Sequence, residues 1–141
     1  RLEPLFRDAE EYRLFRQRHD NAKIARGDIG KAEGPLFLGI DAGSTTTKGA
    51  VIDRDKKLLY SFYKGNEGNP LATTREMLKE IYSLLPEGTY IANTTVTGYG
   101  EGLIKAGFNA DYGIIETMAH YKAAEQFLPG LILFWTSAVR T

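Results

Sequence analysis

The polar residues between positions 41 and 48 could together bind the phosphate groups of a nucleotide. The stretch reads Asp-Ala-Gly-Ser-Thr-Thr-Thr-Lys. The carboxylate of Asp41 can hold Mg²⁺ or its water, while Gly43 lets backbone N–H groups approach phosphate oxygens. The hydroxyl groups that follow add further donors, and Lys48 adds a cation. This combination of residue types predicts nucleotide phosphate chemistry.

The sequence around this polar stretch predicts a strand, a turn and a second strand. An apolar run that ends at Ile40 is typical of a strand buried on both faces, and Asp41 then stands at its end. Residues 48–52 follow as an apolar second strand. A P-loop is excluded, because a Walker sequence places Gly-Lys before Ser or Thr and a helix, whereas Lys48 precedes a strand.

The next segments predict an α/β fold with parallel and antiparallel strands. Residues 58–64 form the third of three antiparallel strands, and a helix capped by Asn69 then leads to a fourth strand at residues 90–97. A right-handed crossover makes the fourth strand parallel to the first. The carboxyl ends of both strands then lie at one edge of the sheet, so we expect Asp41 to meet residues 97–100 there.

Two further helices and a last strand complete the predicted fold. The helices run from residue 101 to residue 107 and from about Thr117, a good N-cap, to residue 127. A Pro-Gly turn then leads into a fifth strand at residues 131–135. The result is a five-stranded mixed sheet with helices on both faces.

Residues 1–34 are more charged than the rest of the chain and predict a helical linker. A helix from about Asp8 to Ala22 is expected, with Asp8 as its N-cap. The segment either connects to a preceding domain or is a solvated helix, and we weigh both equally. The domain that follows comprises residues 35–141.

Composition limits the classes of function. The chain has 141 residues, of which 43% are hydrophobic, and a formal net charge of zero, which does not favour a nucleic-acid partner. No apolar run reaches the roughly 18 residues that span a bilayer, so we expect a cytoplasmic chain without membrane association. Cys is absent, which excludes disulfides and thiolate metal ligands within this chain.

Three motifs in order resemble the BadF/BadG/BcrA/BcrD ATPase family. They are GIDAGSTTTK at residues 39–48, TGYG at residues 97–100 and ETMAH at residues 116–120. Members of this family activate 2-hydroxyacyl-CoA dehydratases and benzoyl-CoA reductases. The resemblance implies a ribonuclease H-like (actin-like ATPase) half-domain, with residues 35–141 as an N-terminal lobe that is incomplete at its C-terminus.

The resemblance also implies roles for individual residues. Asp41 would be catalytic, positioning Mg²⁺ through water and orienting the attacking water, and Glu116 is a second candidate catalytic carboxylate. The implied partners are ATP or ADP and an acyl-CoA dehydratase or reductase component. A [4Fe-4S] cluster is implied for the full-length family, not for this Cys-free chain. The implied nucleotide-binding residues are Gly43, Ser44, Thr45, Thr46, Lys48, Thr97 and Gly98.

Other interpretations of these residues remain open. Residues 43–47 could form a solvated hairpin loop, and Glu116 with His120 a solvated pair one helical turn apart. A small-molecule kinase, such as an amino-sugar kinase, would need a substrate-binding carboxylate, for which Asp111 is the candidate. A catalytically silent scaffold domain is a third possibility. A ribonuclease H-like nuclease would need three or four carboxylates, and Asp41 and Glu116 are the two candidates.

The end of the chain departs from the family pattern. A strand ending in Leu-Asp-Ile-Gly-Gly-Gln-Asp is expected after residue 130, but the sequence from Leu133 reads LFWTSAVRT. Residues 134–141 can be encoded by a DNA sequence that, when read two bases further on, encodes that motif. We therefore hypothesise a frameshift near residue 133 or 134. Sequencing of the coding DNA would test this hypothesis. A second phosphate loop would then be missing. We expect an ATPase fragment with little activity, an exposed apolar face and self-association.

Overall fold

The computed structural model describes residues 3–129, which form an α/β fold around a mixed five-stranded sheet. The strands occur in the order β3-β2-β1-β4-β5 across the sheet. The β1–β2 and β2–β3 pairs are antiparallel, whereas the β1–β4 and β4–β5 pairs are parallel. The strands are β1 Pro35–Ala42, β2 Thr46–Ile52, β3 Leu58–Gly65, β4 Tyr90–Thr97 and β5 Tyr112–Gly113. The helices are α1 Ala9–Asn21, α2 Pro70–Leu84, α3 Glu101–Phe108 and α4 Glu116–Phe127.

The predicted α/β class and mixed sheet are confirmed, and the described fifth strand of the sheet is one that the sequence did not predict. In the structure it is β5, which consists of two residues beside β4. A segment this short has no alternating pattern from which a strand could be predicted. The strand predicted at residues 131–135 lies outside the described residues, as does the tail with its hypothesised frameshift.

One face of the sheet forms the hydrophobic core. Alternate residues of β1 are buried there, as are Val51 of β2 and Val96 of β4. Helix α2 covers this face with the fully buried Met77 and Ile81, and α3 packs beside it through Ile104. The helix begins where predicted, because the side chain of Asn69 accepts a hydrogen bond from the backbone of Ala72.

Helix α4 lies by the opposite face, beside β2. Gln126 near its C-terminal end accepts a hydrogen bond from Lys56 in the β2–β3 turn. At its other end, Glu116 is close enough to act electrostatically on Lys48 of β2. The predicted N-cap of this helix was wrong, because the helix begins at Glu116 and Thr117 lies within its first turn, without a side-chain cap.

The N-terminal segment contains a helix that has no buried residue. As predicted, Asp8 caps α1, accepting a hydrogen bond of 2.8 Å from the backbone of Glu11. Further along, residues 25–27 pair with the start of β3, and Ile29 in a short 3₁₀ helix is buried against the core. These contacts attach residues 25–29 to the sheet, while the domain division at residue 34 stays a prediction.

Candidate functional site

An ion pair at the loop end of the β1–β2 hairpin joins two of the predicted site residues. Asp41 and Lys48 are partners in the antiparallel register, and Lys48 Nζ lies 2.8 Å from Asp41 Oδ2. Both side chains are partly exposed. The hydrogen bond that Lys48 donates to Asp41 is the main cause that raises the pKa of Lys48 above its ordinary value. Lys48 is therefore protonated at neutral pH and remains a cation that an anionic ligand could attract.

The end of β4 meets Asp41, as the sequence predicted. Asp41 is opposite Thr97 in the parallel register of β1 and β4. The next residue, Gly98, has φ +92°, a backbone conformation that residues other than glycine rarely adopt. A Cβ atom at Gly98 would lie 2.6 Å from Asp41 Oδ1 and 2.8 Å from the carbonyl oxygen of Ala42. The backbone passes so close to the carboxylate that glycine is required there.

Thr97 has a buried hydroxyl beside this carboxylate. Its Oγ1 has almost no solvent access and no hydrogen-bond partner among residues 3–129. A buried polar atom without a partner is costly, and such atoms are found where a ligand or water completes the site. The role of Thr97 in nucleotide binding stays a prediction.

The hairpin loop between β1 and β2 exposes most of its polar groups. The backbone N–H of Gly43 donates to the carbonyl of Thr46 at 2.9 Å, which closes the loop. Ser44 and Thr45 are exposed and Thr46 is half-buried, so their hydroxyls are open to a ligand. Thr47 differs, because its side chain is fully buried on the core face of β2. The hydroxyl of Thr47 is therefore not available as a hydrogen-bond donor to a phosphate, although its place in the motif indicated this.

A residue that the sequence did not single out lies under this loop. Asn66 follows β3 and is only 3% exposed. Its Nδ2 donates to the carbonyl oxygen of Gly43 at 2.9 Å and to Thr47 Oγ1 at 3.4 Å. The sequence offered one signal, an Asn-Glu-Gly-Asn-Pro run typical of a turn before a helix, but no sign of which loop Asn66 would contact.

Glu116 lies near the ion pair without touching it. Its negative charge contributes to the raised pKa of Lys48, although less than Asp41 does. Its carboxylate is 3.6 Å from His120 Nε2, one turn along α4, and both side chains are largely exposed. The geometry thus brings Glu116 to the rim of the site, and its catalytic role stays a prediction.

A cleft of about 440 Å³ adjoins the hairpin loop. It lies between this loop, the turn before α2 and the start of α3, where Tyr99 is 91% exposed. The residues that line it are Gly43, Ser44, Gly68, Pro70, Tyr99, Gly100 and Leu103.

The side chains at this edge fit a magnesium ion that is held through water. Across residues 3–129, no three His, Asp or Glu side chains converge to form a metal-binding cluster. Asp41 is a single carboxylate, and Mg²⁺ characteristically keeps several waters while binding one or two carboxylates and substrate phosphates. An iron–sulfur cluster does not fit, because the chain has no Cys.

Asp111, the candidate substrate carboxylate of a kinase, has a structural partner. Its Oδ2 accepts a hydrogen bond of 2.6 Å from the backbone N–H of Thr94 in β4. This contact lies three residues before Thr97 and holds the α3–β5 connection against β4. The position of Asp111 therefore does not indicate a substrate site at the sheet edge that carries Asp41.

The described part of the chain contains no helix with the length and apolar character needed to cross a membrane.

The fold is similar to that of two solved structures from acyl-CoA dehydratase systems. The activator of 2-hydroxyisocaproyl-CoA dehydratase from Clostridium difficile, with bound ADPNP, is 26% identical, with a TM-score of 0.52 over 67% of this chain and 34% of the activator. Component A of the (R)-2-hydroxyglutaryl-CoA dehydratase of Acidaminococcus fermentans is also 26% identical, with a TM-score of 0.52 over 68% and 36% of the two chains. This chain has the fold of the actin-like ATPases. It spans about a third of the length of these two activators.

A more distant likeness shows the same fold. The ethanolamine utilization protein EutJ from Carboxydothermus hydrogenoformans is 17% identical, with a TM-score of 0.53 over 75% of this chain and 44% of EutJ. No protein-family model matches the sequence, and no curated protein matches it. The actin-like ATPase fold of this chain therefore rests on its structure and on the motifs that the structure brings together.

Proposed function

We propose that this chain is the phosphate-binding lobe of an ATP-binding and ATP-hydrolysing activator of an iron–sulfur acyl-CoA dehydratase or reductase. The observation that carries the proposal is the cluster of Asp41, Lys48 and Gly98 where β1, β2 and β4 meet. The likeness to a dehydratase activator with bound ADPNP supports a nucleoside triphosphate as the ligand. In this proposal residues 35–141 are the lobe and residues 1–34 are its linker.

The hairpin loop and Lys48 would bind the β- and γ-phosphates. Ser44 and Thr45 offer exposed hydroxyls and backbone N–H groups, and Gly43 leaves room for phosphate oxygens close to the backbone. A triphosphate would compete with Asp41 for the ammonium group of Lys48, because the two are paired across the hairpin. Charge-assisted hydrogen bonds of this type are about twice as strong as neutral ones.

Asp41 would orient water at the reacting phosphate. Bound Mg²⁺ would neutralise charge on the phosphates and align the triphosphate. Asp41 Oδ1 lies against the backbone of residue 98, which holds the carboxylate in place to accept hydrogen bonds from metal-bound and attacking water. The buried hydroxyl of Thr97 would donate beside it, and Glu116 would orient water from the rim of the site.

The chain would contribute nucleotide binding rather than electron transfer. It has no Cys to ligate a [4Fe-4S] cluster, so any cluster of the activator would be held by residues outside this chain. One phosphate loop supplies few of the charge-assisted hydrogen bonds that a triphosphate needs, so we expect weak affinity and little turnover from this chain alone. The partner would be the dehydratase or reductase component that an activator serves.

A calorimetric titration with ATP in the presence and absence of Mg²⁺ tests the proposal. For the unmutated chain we expect Mg²⁺ to strengthen ATP binding by about tenfold, because Asp41 would help to hold the metal ion through water and the ion would neutralise phosphate charge. In Asp41→Ala that enhancement should disappear. Metal-free ATP should bind this variant at least as well as it binds the unmutated chain, since Lys48 loses its competing partner.

Glu76→Ala is the matched control for this titration. Glu76 also pairs with a lysine, since its Oε2 lies 2.5 Å from Lys64 Nζ, but this pair lies between β3 and α2 and does not involve the hairpin loop. The control should bind Mg-ATP as the unmutated chain does. No binding of Mg-ATP to the unmutated chain, or an Asp41→Ala variant with undiminished magnesium enhancement, would overturn the proposal.

A further inference from the structure

Asn66 makes three hydrogen bonds to the hairpin loop from a buried position. Its side-chain Nδ2 donates to the carbonyl of Gly43 at 2.9 Å and to Thr47 Oγ1 at 3.4 Å. Its backbone N–H donates to the carbonyl of Thr45 at 2.9 Å. Asn66 thus contacts the loop at its beginning, its middle and its end, and it is 3% exposed.

Asn66 is itself held by the turn that precedes α2. Its Oδ1 accepts a hydrogen bond of 3.1 Å from the backbone N–H of Gly68. Its backbone carbonyl accepts one of 2.6 Å from Asn69, which is the N-cap of α2. The hairpin loop is therefore anchored through Asn66 to a helix that packs in the core, and not only to its own two strands.

The hydrogen bond to Gly43 fixes the direction of a backbone donor. The described residues contain no cis peptide bond, so the carbonyl of Gly43 and the N–H of Ser44 point in opposite directions from one planar peptide. Since the carbonyl is held toward Asn66, the Ser44 N–H faces away from Asn66. Loss of the amide would free this peptide to rotate and would leave the Gly43 carbonyl without its buried donor.

We propose that Asn66 is a positioning residue for nucleotide binding, which holds the peptide between Gly43 and Ser44 in the orientation that presents the Ser44 N–H to a phosphate oxygen. This inference rests on the proposed function, because it assumes that the hairpin loop binds phosphates. Asn66 does not touch the nucleotide, and its effect passes through the loop backbone.

Paired alanine variants separate this role from a general effect on folding. Asn66→Ala removes the donor to the Gly43 carbonyl, whereas Asn69→Ala removes only the α2 cap in the same turn. We expect Asn66→Ala to weaken binding of Mg-ADPNP by about tenfold in a calorimetric titration. Asn69→Ala should lower the melting temperature but leave the dissociation constant within about twofold.

The pH dependence of nucleotide binding by Asn66→Asp is a second measurement, which a purely structural role of Asn66 would not affect. A carboxylate at this position cannot donate to Gly43, but a protonated carboxyl group can, and burial favours the protonated form. The ratio of the dissociation constants of Asn66→Asp and the unmutated chain should therefore fall as the pH is lowered from about 8 to about 5. The same ratio for Asn66→Ala should not change with pH.

The outcomes distinguish this inference from the proposed function. If the unmutated chain does not bind Mg-ADPNP, the proposed function fails and this inference fails with it. If the unmutated chain binds and Asn66→Ala binds equally well, only the role of Asn66 is overturned. Equal loss of affinity in Asn66→Ala and Asn69→Ala would also overturn it, because the effect would then belong to the turn as a whole.

Discussion

At the scale of single residues, the site is defined by how closely the end of β4 approaches the end of β1. Asp41 has Lys48 on one side at 2.8 Å and the backbone of Gly98 on the other. The ion pair holds the carboxylate in place, and Gly98 lets the chain just after β4 pass so close to Asp41 and Ala42 that no side chain would fit there. The carboxylate is therefore positioned before any ligand binds, which reduces the ordering that binding must impose.

Gly98→Ala should damage both the fold and the site. Its positive φ is unfavourable for alanine, and the new Cβ would contact Asp41 Oδ1 and the Ala42 carbonyl, so we expect a loss of about 3 kcal/mol in the free energy of unfolding. Gly88→Ala is the control, because Gly88 has φ +80° with no atom within 4 Å of its Cβ position. That variant should lose about 1 kcal/mol.

Denaturant unfolding measures both variants of this pair. The difference between them isolates the contacts with Asp41 and Ala42 at the end of β1, since both glycines have nearly the same φ. Mg-ATP binding should be lost in Gly98→Ala and kept in Gly88→Ala. If the two variants lost equal stability, the close approach of β4 to Asp41 would not exist in solution.

At the scale of elements, the packing of α2 on β2 determines the shape of the hairpin that carries the loop. The sulfur of Met77 lies directly over Gly49, where an added Cβ would overlap it. This contact lies one residue beyond Lys48, so the position of the helix and the position of the site lysine are linked through β2. The strand can approach the helix here only because it has no side chain at this point.

Gly49→Ala should destabilise the protein by about 2 kcal/mol, because Met77 would have to move within a packed core. Met77→Ala should cost about 3 kcal/mol by leaving a cavity. In the double variant the alanine at position 49 occupies part of that cavity, so the combined loss should be smaller than the sum by about 1 kcal/mol. A double-mutant cycle in chemical denaturation measures this coupling, and strict additivity would show that α2 does not pack on Gly49.

Local signals explain which elements could be predicted from the sequence. The Asn-Pro start of α2, the apolar run of β1 and the span of β4 are properties of neighbouring residues, and all three elements appear in the structure. The burial of β1 on both faces was predicted wrongly, because its residues are fully buried only on the core face. The two-residue strand β5 and the contacts of Asn66 depend on pairing between distant segments, for which one sequence offers no pattern. The same holds for Asp111, whose contact with the backbone of β4 joins residues that are 17 positions apart.

At the scale of the whole molecule, the two faces of the sheet differ in how far the described residues cover them. The core face is closed by α2 and α3, whereas on the opposite face Gly39 in the central strand is exposed, with no described atom within 4 Å of its Cβ position. Next to this face, Tyr112, Ile115 and Met118 expose apolar side chains near the start of α4. We call these three residues the α4 patch.

The α4 patch should cause self-association at high protein concentration. Exposed apolar area favours contact between copies, and a formal net charge of zero removes the repulsion that would oppose it. Sedimentation equilibrium should show a mass that rises with concentration at neutral pH. Ile115→Lys should abolish this rise, because a charge would replace a side chain that is 65% exposed, whereas Tyr82→Lys on the outer side of α2 should not. A strictly monomeric chain at every concentration, or equal effects of the two lysines, would show that the patch is not an association surface.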